Sequence, residues 1–412
     1  MQLKYNIDDT PPLAELLVLS FQWLVVVVSI LIIGGRVVAE IQYESFFEKN
    51  IYLQKIFFVA GVTLLFQLIF GHRLPLVVGP SSVLIVGIYT SLMSGFGAIY
   101  TAIAVCGVLM AIFALTGKFN LLRKFFNKNI VAFILILVAI TLAPIIISLI
   151  ADSFSHFIFS LAIVFSLFLF GRVLKGVWSS SLIFFGIFFG TAVYWLIYPQ
   201  QISFPAIEFE SFFYDLNLIP EFRIEVIIAF LICFLALAIN DLSSIYSVGE
   251  MLDAEEIGKR VNRGAFLTGI SNVLSGFFGV VGMVNYTLSP GMISATKCAS
   301  RIPLLILGAI LIIFAFFPVI ISAFGAIPRV VVGSIFFYIM CSQIAISLSM
   351  LKVEDFNSGL SIGFPILLAI FVTFLPQNIL NSIPEFLRPI LGNGFVVGVL
   401  TAILMDKIIL KK

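Results

Sequence analysis

Four polar side chains, Asn240, Asp241, Ser244 and Ser247, interrupt one long apolar run that begins near Ile224. Read as a helix, the run places them on one broad face. Asn240 offers both a donor and an acceptor, Asp241 an ionisable acid, and the serines hydroxyls. Such a set is suited to binding a polar ligand and to moving an ion or a proton. An ionisable group inside an apolar span is costly, and it most often faces a cavity or a partner. The competing reading is a helix-packing face joined by hydroxyls, or an Asp241 paired with a basic residue elsewhere.

Two other hydroxyl groups mark short segments. Ser81 and Ser82 follow Leu74-Pro-Leu-Val-Val-Gly-Pro80, and Ser289 opens Ser289-Pro-Gly291. Each stretch goes from a few extended-type residues through Pro and Gly to an apolar half-helix. A half-helix that starts within the membrane presents free N–H groups and a positive dipole end. That end suits an anion or a planar polar ligand, although the hydroxyls serve equally as N-caps. Gln22 and Trp23 lie within the first apolar run, where a polar amide beside an aromatic ring makes a hydrogen-bonding and stacking wall.

The chain carries no catalytic constellation, and an enzyme is not expected. Only His72 and His156 are available as imidazole ligands, and Cys106, Cys233, Cys298 and Cys341 lack metal-ligand spacing. They read as small core residues, and no metal or cofactor is expected. No basic patch for nucleic acid is present.

The elements that hold these residues follow from composition. Of 412 residues 61% are hydrophobic and 11% charged, and the mean hydropathy is +1.19. A bilayer accommodates that much apolar surface in spans of roughly 20 residues. Fourteen segments are expected: 13–35, 52–71, 81–94, 96–116, 130–151, 154–171, 178–198, 224–248, 264–279, 289–297, 302–324, 328–350, 358–376 and 389–410. The first follows a tail with Asp8 and Asp9 and reads as a mature helix rather than a signal peptide. The third and the tenth are short and broken, and they occupy corresponding places in two sets of seven. Paired interrupted segments of this kind point to a transporter's central site.

Loop charges set the orientation. Lys118, Arg123, Lys124 and Lys128 follow span 4, Arg172 and Lys175 span 6, and Lys259, Arg260 and Arg263 span 8. Lys297 and Arg301 follow span 10, and Lys407, Lys411 and Lys412 end the sequence. Acidic residues crowd the other side: Glu40, Glu44 and Glu48 after span 1, then Glu208, Glu210, Asp215 and Glu221 after span 7. Basic loops after even-numbered spans put both termini in the cytoplasm. Residues 203–222 read as an extracytoplasmic interfacial stretch.

Several motifs resemble the nucleobase/ascorbate transporter family, the uracil and xanthine permeases. They are Arg73-Leu-Pro-Leu-Val-Val-Gly79-Pro-Ser81, Ile239 to Met251 with its Gly249-Glu250 ending, and Asn262-Arg-Gly264 with Gly269. Ser275-Gly-Phe-Phe-Gly279, Leu288-Ser-Pro-Gly-Met-Ile-Ser-Ala-Thr-Lys297 and Ile327-Pro-Arg-Val-Val-Val-Gly333 complete the set. The match runs in one order along nearly the whole chain.

The resemblance implies an all-α polytopic fold of two inverted seven-helix repeats with interrupted segments 3 and 10. Residues 1–116 and 223–325 would form a substrate-carrying core domain. Residues 117–222 and 326–412 would form a gate domain that makes homodimer contacts. The activity implied is secondary, symporter-like transport of a nucleobase such as uracil or xanthine, by an elevator movement coupled to a proton or sodium, in the cell membrane. Gly291, Thr296 and Lys297 match the family signature. The family's base-gripping glutamate falls on Asn240, its following acid or histidine on Ser244, its signature Gln/Glu and Asn on Leu288 and Ser289, and its Gln-His pair on Gln22-Trp23. Substrate contacts are therefore expected from Asn240, Ser81, Ser82, Ser289, Gln22, Trp23 and Ser244, and ion coupling from Asp241. Two rivals are an anion transporter of the sulfate-permease type on the same fold and a membrane binding protein that does not transport.

Overall fold

The computed structural model describes residues 3–119, 128–199, 212–214, 216–217, 219–351, 356–384 and 386–405. Arg123, Lys124, Lys407, Lys411, Lys412, Glu208, Glu210, Asp215 and residues 203–211 lie outside the described residues.

The first set begins with α1 (Leu13–Gln42) and α2 (Phe46–Ile69). A three-residue strand follows, β1 (Val78–Pro80), then α3 (Ser82–Thr90) and α4 (Phe96–Leu115). Next come α5 (Lys128–Thr141), α6 (Ala143–Ile150), α7 (Phe154–Val173), the single turn α8 (Val177–Ser180) and α9 (Leu182–Ile197). The second set has α10 (Ile224–Met251), α11 (Ile257–Phe278), β2 (Met283–Asn285), α12 (Ser289–Thr296) and α13 (Ile302–Ala315). It closes with α14 (Pro318–Gly325), α15 (Arg329–Met350), α16 (Phe356–Thr373), α17 (Gln377–Ser382), α18 (Arg388–Leu391) and α19 (Gly394–Leu404). Seven helices among the described residues are long and apolar enough to cross a bilayer, or eight if α13 and α14 count as one bent span.

Helices cover most of the predicted apolar runs, but α2 begins at Phe46 and α11 at Ile257, ahead of 52 and 264, 130–151 divides into α5 and α6, and 389–410 into α18 and α19. Two further departures have clear causes. The run 302–324 is not one straight span: it breaks after Ala315, and the two arms meet at 87°. Pro318 lacks an N–H and stands at the start of the second arm, where that lack costs nothing. Helix α1 continues past residue 35 to Gln42. Arg36 and Glu40 lie one turn apart and pair at 2.8 Å, so their charges do not end the helix.

Packing divides the helices into two groups. Helix α11 lies along α4, α13 along α2 and α1, and α10 against α3, α4 and α11. Helix α15 packs on α5, α6, α7 and α9, while α16 and α19 pack on each other and on α5. Small residues permit the closest crossings. A Cβ at Gly269 would stand 2.7 Å from the carbonyl oxygen of Gly107, and one at Gly61 2.8 Å from that of Gly308. On the side where α1 ends and α11 ends, Phe212 is buried against Phe58, Phe278 and Phe316.

The amino-terminal residues are tied down. Lys4 N donates to Lys297 O at 2.8 Å, Ala299 N to Tyr5 O at 2.9 Å and Arg301 N to Ile7 O at 3.0 Å. Asp8 pairs with Arg301 at 2.7 Å, and the Ser300 hydroxyl donates to Asp9 O at 2.6 Å. Residues 4–9 thus form an extended strap alongside the α12–α13 connector. Beneath it lies a cavity of about 230 Å³ lined by Leu3, Ile7, Leu252 and Ala299 among others.

Candidate functional site

The two interrupted segments meet. Strand β1 pairs antiparallel with β2 in the register Val78 with Asn285, Gly79 with Val284 and Pro80 with Met283. The pairing satisfies backbone groups that have no helix to bond them within the bilayer. Tyr286 N donates to Val77 O at 2.9 Å, and Ser81 N to Gly282 O at 2.9 Å, which extends the ladder at both ends. Gly79 is required here, because the Tyr286 ring occupies the place of a side chain. The Tyr286 hydroxyl in turn donates to Pro80 O at 2.5 Å. Helix α3 leaves one end of this crossing and α12 the other, so their N-termini flank it.

Ser81 is the N-cap of α3, with its hydroxyl accepting from Leu84 N at 3.4 Å. Ser82, the first helical residue, stays half-exposed. Ser289 is buried, and its hydroxyl does not cap its own helix. It accepts from Val77 N at 3.1 Å, stitching α12 to the segment before β1.

Helix α10 passes beside β2, and its polar residues divide between two directions. Asp241 is fully buried and turned toward β2 and α11. Its Oδ1 accepts from Asn285 N at 3.2 Å and Asn285 Nδ2 at 2.7 Å, and its Oδ2 from the Thr268 hydroxyl at 3.0 Å. All three contacts are donors, the set an ionised carboxylate accepts. The Ser244 hydroxyl reaches both Asn240 O and Asn285 O at 2.8 Å. Asn240 is half-buried, and its side-chain amide makes no hydrogen bond among the described residues. Ser247 is exposed. The single broad face expected of Asn240, Asp241, Ser244 and Ser247 is therefore two: Asp241 braces β2, and Asn240 remains available. One residue along a helix is a rotation of about 100°, which is why neighbours in sequence face apart.

Around Asp241 lies a network with few outward signs in the sequence. Leu74 N donates to His72 Nδ1 at 3.0 Å, which leaves the proton on Nε2, and Nε2 lies 3.1 Å from Asn285 Oδ1. Gln67 Nε2 donates to the Thr268 hydroxyl and to Gly264 O, both at 2.9 Å. Asn272 Nδ2 donates to Thr268 O at 2.7 Å and Met283 O at 3.0 Å. Gln67 of α2, Thr268 of α11 and Asp241 of α10 are thus joined in series, and Asn285 ties Asp241 and His72 to β2. In the sequence, His72, Gln67, Thr268, Asn272 and Asn285 are isolated polar residues in apolar surroundings. Only His72, just before Arg73, and Asn285, four residues before Ser289, sit near the short interrupted segments.

Gln22 is half-buried with Oε1 enclosed and unpartnered, and Trp23 is buried with Nε1 unpartnered. Both lie on α1 two turns before Ile30, whose side chain reaches Gly79 of β1. Thr287, between β2 and α12, is exposed although it lies at the crossing, and the sequence reading did not include it. Gly291 is exposed, Thr296 returns its hydroxyl to Met292 O at 2.8 Å, and Lys297 ends α12 in the left-handed conformation, φ 58°.

Antiparallel pairing sends α3 and α12 away from the crossing in opposite directions, the arrangement of paired interrupted segments that marks transporter folds. Residues 14–378 match the xanthine/uracil permease model, described as a permease family. The chain belongs to this permease family. It is a multi-pass membrane protein of a transporter family.

Relatives agree with that assignment. The chain is 25% identical over 354 residues to the nucleobase transporter PlUacP of Paenibacillus larvae, covering 82% of this chain and 80% of that one. It is 24% identical over 424 residues to a putative purine permease, YwdJ, of Bacillus subtilis, with 94% of each chain covered. It is also 24% identical over 358 residues to the uric acid permease PucJ of the same organism, covering 82% and 78%. Among solved structures, the transmembrane domain of the cyanobacterial bicarbonate transporter BicA superposes with a TM-score of 0.64 at 13% identity, covering 90% of this chain and 97% of that one. The murine Slc26a9 anion transporter in its inward-facing state also gives 0.64, at 12% identity, covering 97% and 69%. At such identities the likeness establishes the fold alone.

Proposed function

We propose that this protein is a secondary active transporter of a nucleobase, of the uracil, xanthine or uric acid class. The observation that carries the proposal is the crossing of β1 and β2 beside Asn240, whose amide makes no internal hydrogen bond. A planar base edge alternates donors and acceptors, and one amide side chain answers both. Free N–H groups at the starts of α3 and α12, near Ser82 and Ser289, meet ring carbonyls. Thr287 and Gln22 supply further polar contacts, and Trp23 a stacking wall. Membership of the permease family and the substrates named for its relatives support the same class.

Coupling to a proton or sodium is assigned to Asp241. Its carboxylate receives two hydrogen bonds from Asn285 of β2 and one from Thr268 of α11, so a change in its charge state alters the strand that shapes the site. Transport then proceeds by an elevator movement of α1–α4 and α10–α14 against α5–α9 and α15–α19, in a homodimer within the cell membrane, with both termini cytoplasmic. Uptake by proteoliposomes tests this reading. Asp241→Asn should fold and lose ion-driven accumulation while retaining exchange of labelled base. Unaltered ion-driven uptake would remove Asp241 from coupling.

A second reading, anion transport, is favoured by one observation. The N-termini of α3 and α12, two positive dipole ends, flank the same crossing, which suits an anion. Competition of base uptake by bicarbonate or sulfate decides between the two.

A further inference from the structure

At the outer ends of α1 and α2 lies a second polar cluster, away from the β1–β2 crossing. Three cations converge on the buried carboxylate of Glu40. Arg36 Nη2 lies 2.8 Å from it, Lys49 Nζ 2.7 Å and Arg329 Nε 3.1 Å. Glu44 and Glu48, in the adjoining loop and first turn of α2, make no ion pair with these cations among the described residues. One carboxylate therefore faces three positive charges.

The donors outnumber the acceptors as well. Arg36 is only 4% exposed. Its Nη2 reaches Ile327 O at 3.4 Å, while Nε and Nη1 are enclosed with no acceptor. A guanidinium has five N–H groups and accepts nothing, so only an acceptor satisfies it. Asn50 is fully buried, and neither its oxygen nor its nitrogen has a partner. Its amide stands against Gly325, and Arg36 bonds to Ile327 two residues on. Arg36 and Asn50 thus border the same linker between α14 and α15. Arg329, at the start of α15, is 46% exposed on its side chain and opens the cluster to the outside.

We propose that this cluster is a binding site for a small inorganic anion, held by the Nε and Nη1 groups of Arg36 and by Asn50, with Arg329 closing its open edge. Unpaired buried charge is costly, and an anion supplies both the missing charge and the missing acceptor. Glu40 competes with the anion for the same cations. Because Arg329 belongs to the helix group around α5–α9 and Arg36 to the group around α10–α13, the bound anion braces the two groups at their outer contact. The site is independent of the transported substrate, and its test does not require that substrate to be known.

The experiment is thermal unfolding of the purified full-length protein at fixed pH and ionic strength, with sodium gluconate replaced stepwise by sodium chloride. The parent should show a saturable rise in apparent melting temperature of about 2 °C or more. Arg36→Gln and Arg329→Gln should lose or weaken the rise. Glu40→Gln should lower the melting temperature in gluconate yet respond to chloride at lower concentration than the parent, because a competing carboxylate is gone. A purely structural Glu40 gives a destabilised variant whose response to chloride is no greater than the parent's. That result, an equal melting temperature in both salts, or a full chloride response in Arg329→Gln would each overturn the proposal.

Discussion

Replacing Asn285 with alanine removes the side chain that ties β2 to Asp241 of α10 and to His72 beyond the end of α2. Its Nδ2 donates to Asp241 at 2.7 Å and its Oδ1 accepts from His72 at 3.1 Å, and all three residues are buried. A hydrogen bond to a charged group contributes about 1.5–3 kcal/mol, and a buried donor left without an acceptor costs about 1–3 kcal/mol. The backbone contacts of residue 285 survive, since Asn285 N still reaches Asp241 and Ser244 still reaches Asn285 O. The net loss is therefore roughly 3–5 kcal/mol, large beside the typical stability of a folded domain of about 5–15 kcal/mol. Fluorescence-monitored unfolding in detergent should show an apparent melting temperature lower by about 5 °C or more. His72→Phe alone should cost less. The double variant should cost less than the two single losses added, because they share one bond. A melting temperature for Asn285→Ala within about 1 °C of the parent, or strict additivity with His72→Phe, would refute the idea that Asn285 carries the link.

Other variants separate binding from stability. Asn240→Leu should leave the melting temperature within about 2 °C of the parent, since its amide makes no internal hydrogen bond, and should weaken base binding at least about tenfold, the loss of one polar contact to a bound ligand; thermal unfolding checks the first and isothermal titration the second. Gly269→Ala should destabilise by about 1–3 kcal/mol, because the added Cβ would stand 2.7 Å from the Gly107 carbonyl oxygen and 2.7 Å from Ala111 N. Ser289→Ala should cost about 1–3 kcal/mol by leaving Val77 N without its acceptor, seen as a lower midpoint in thermal unfolding. Arg301→Gln should free the amino-terminal strap, because it breaks the pairs with Asp8 and with Leu68 O, and limited proteolysis near residues 4–9 should accelerate.

Long apolar helices such as α1 and α10 were legible because a bilayer imposes a length and an apolar exterior that are written directly in residues such as 13–35 and 224–248. The broken third and tenth segments were legible too, since Pro75, Gly79, Pro80, Pro290 and Gly291 have few uses inside a span. The bend after Ala315 was not, because Phe316 and Phe317 keep the run apolar across the break. The continuation of α1 past Arg36 was hidden by a charge pair that cancels only once the helix has formed. At the site, Asn240, Asp241 and Ser244 stood out as a cluster, but the turning of Asp241 and Ser244 onto Asn285, with the Asn240 amide left unbonded, did not. Asp241 faces inward because β2 passes on that side of α10, and the position of β2 follows from pairing with a strand some two hundred residues earlier. His72, Thr268 and Asn285 gain their meaning from that same crossing, which no local pattern encodes.

The most direct test of the central claim is equilibrium binding to the purified protein, followed by thermal stabilisation across a panel of uracil, xanthine, uric acid, bicarbonate and sulfate. A ligand that binds only the folded state raises the midpoint with its concentration. The proposal predicts a saturable rise with at least one nucleobase, and the loss of that rise in Asn240→Leu. Stabilisation by bicarbonate or sulfate with none by any base would contradict it.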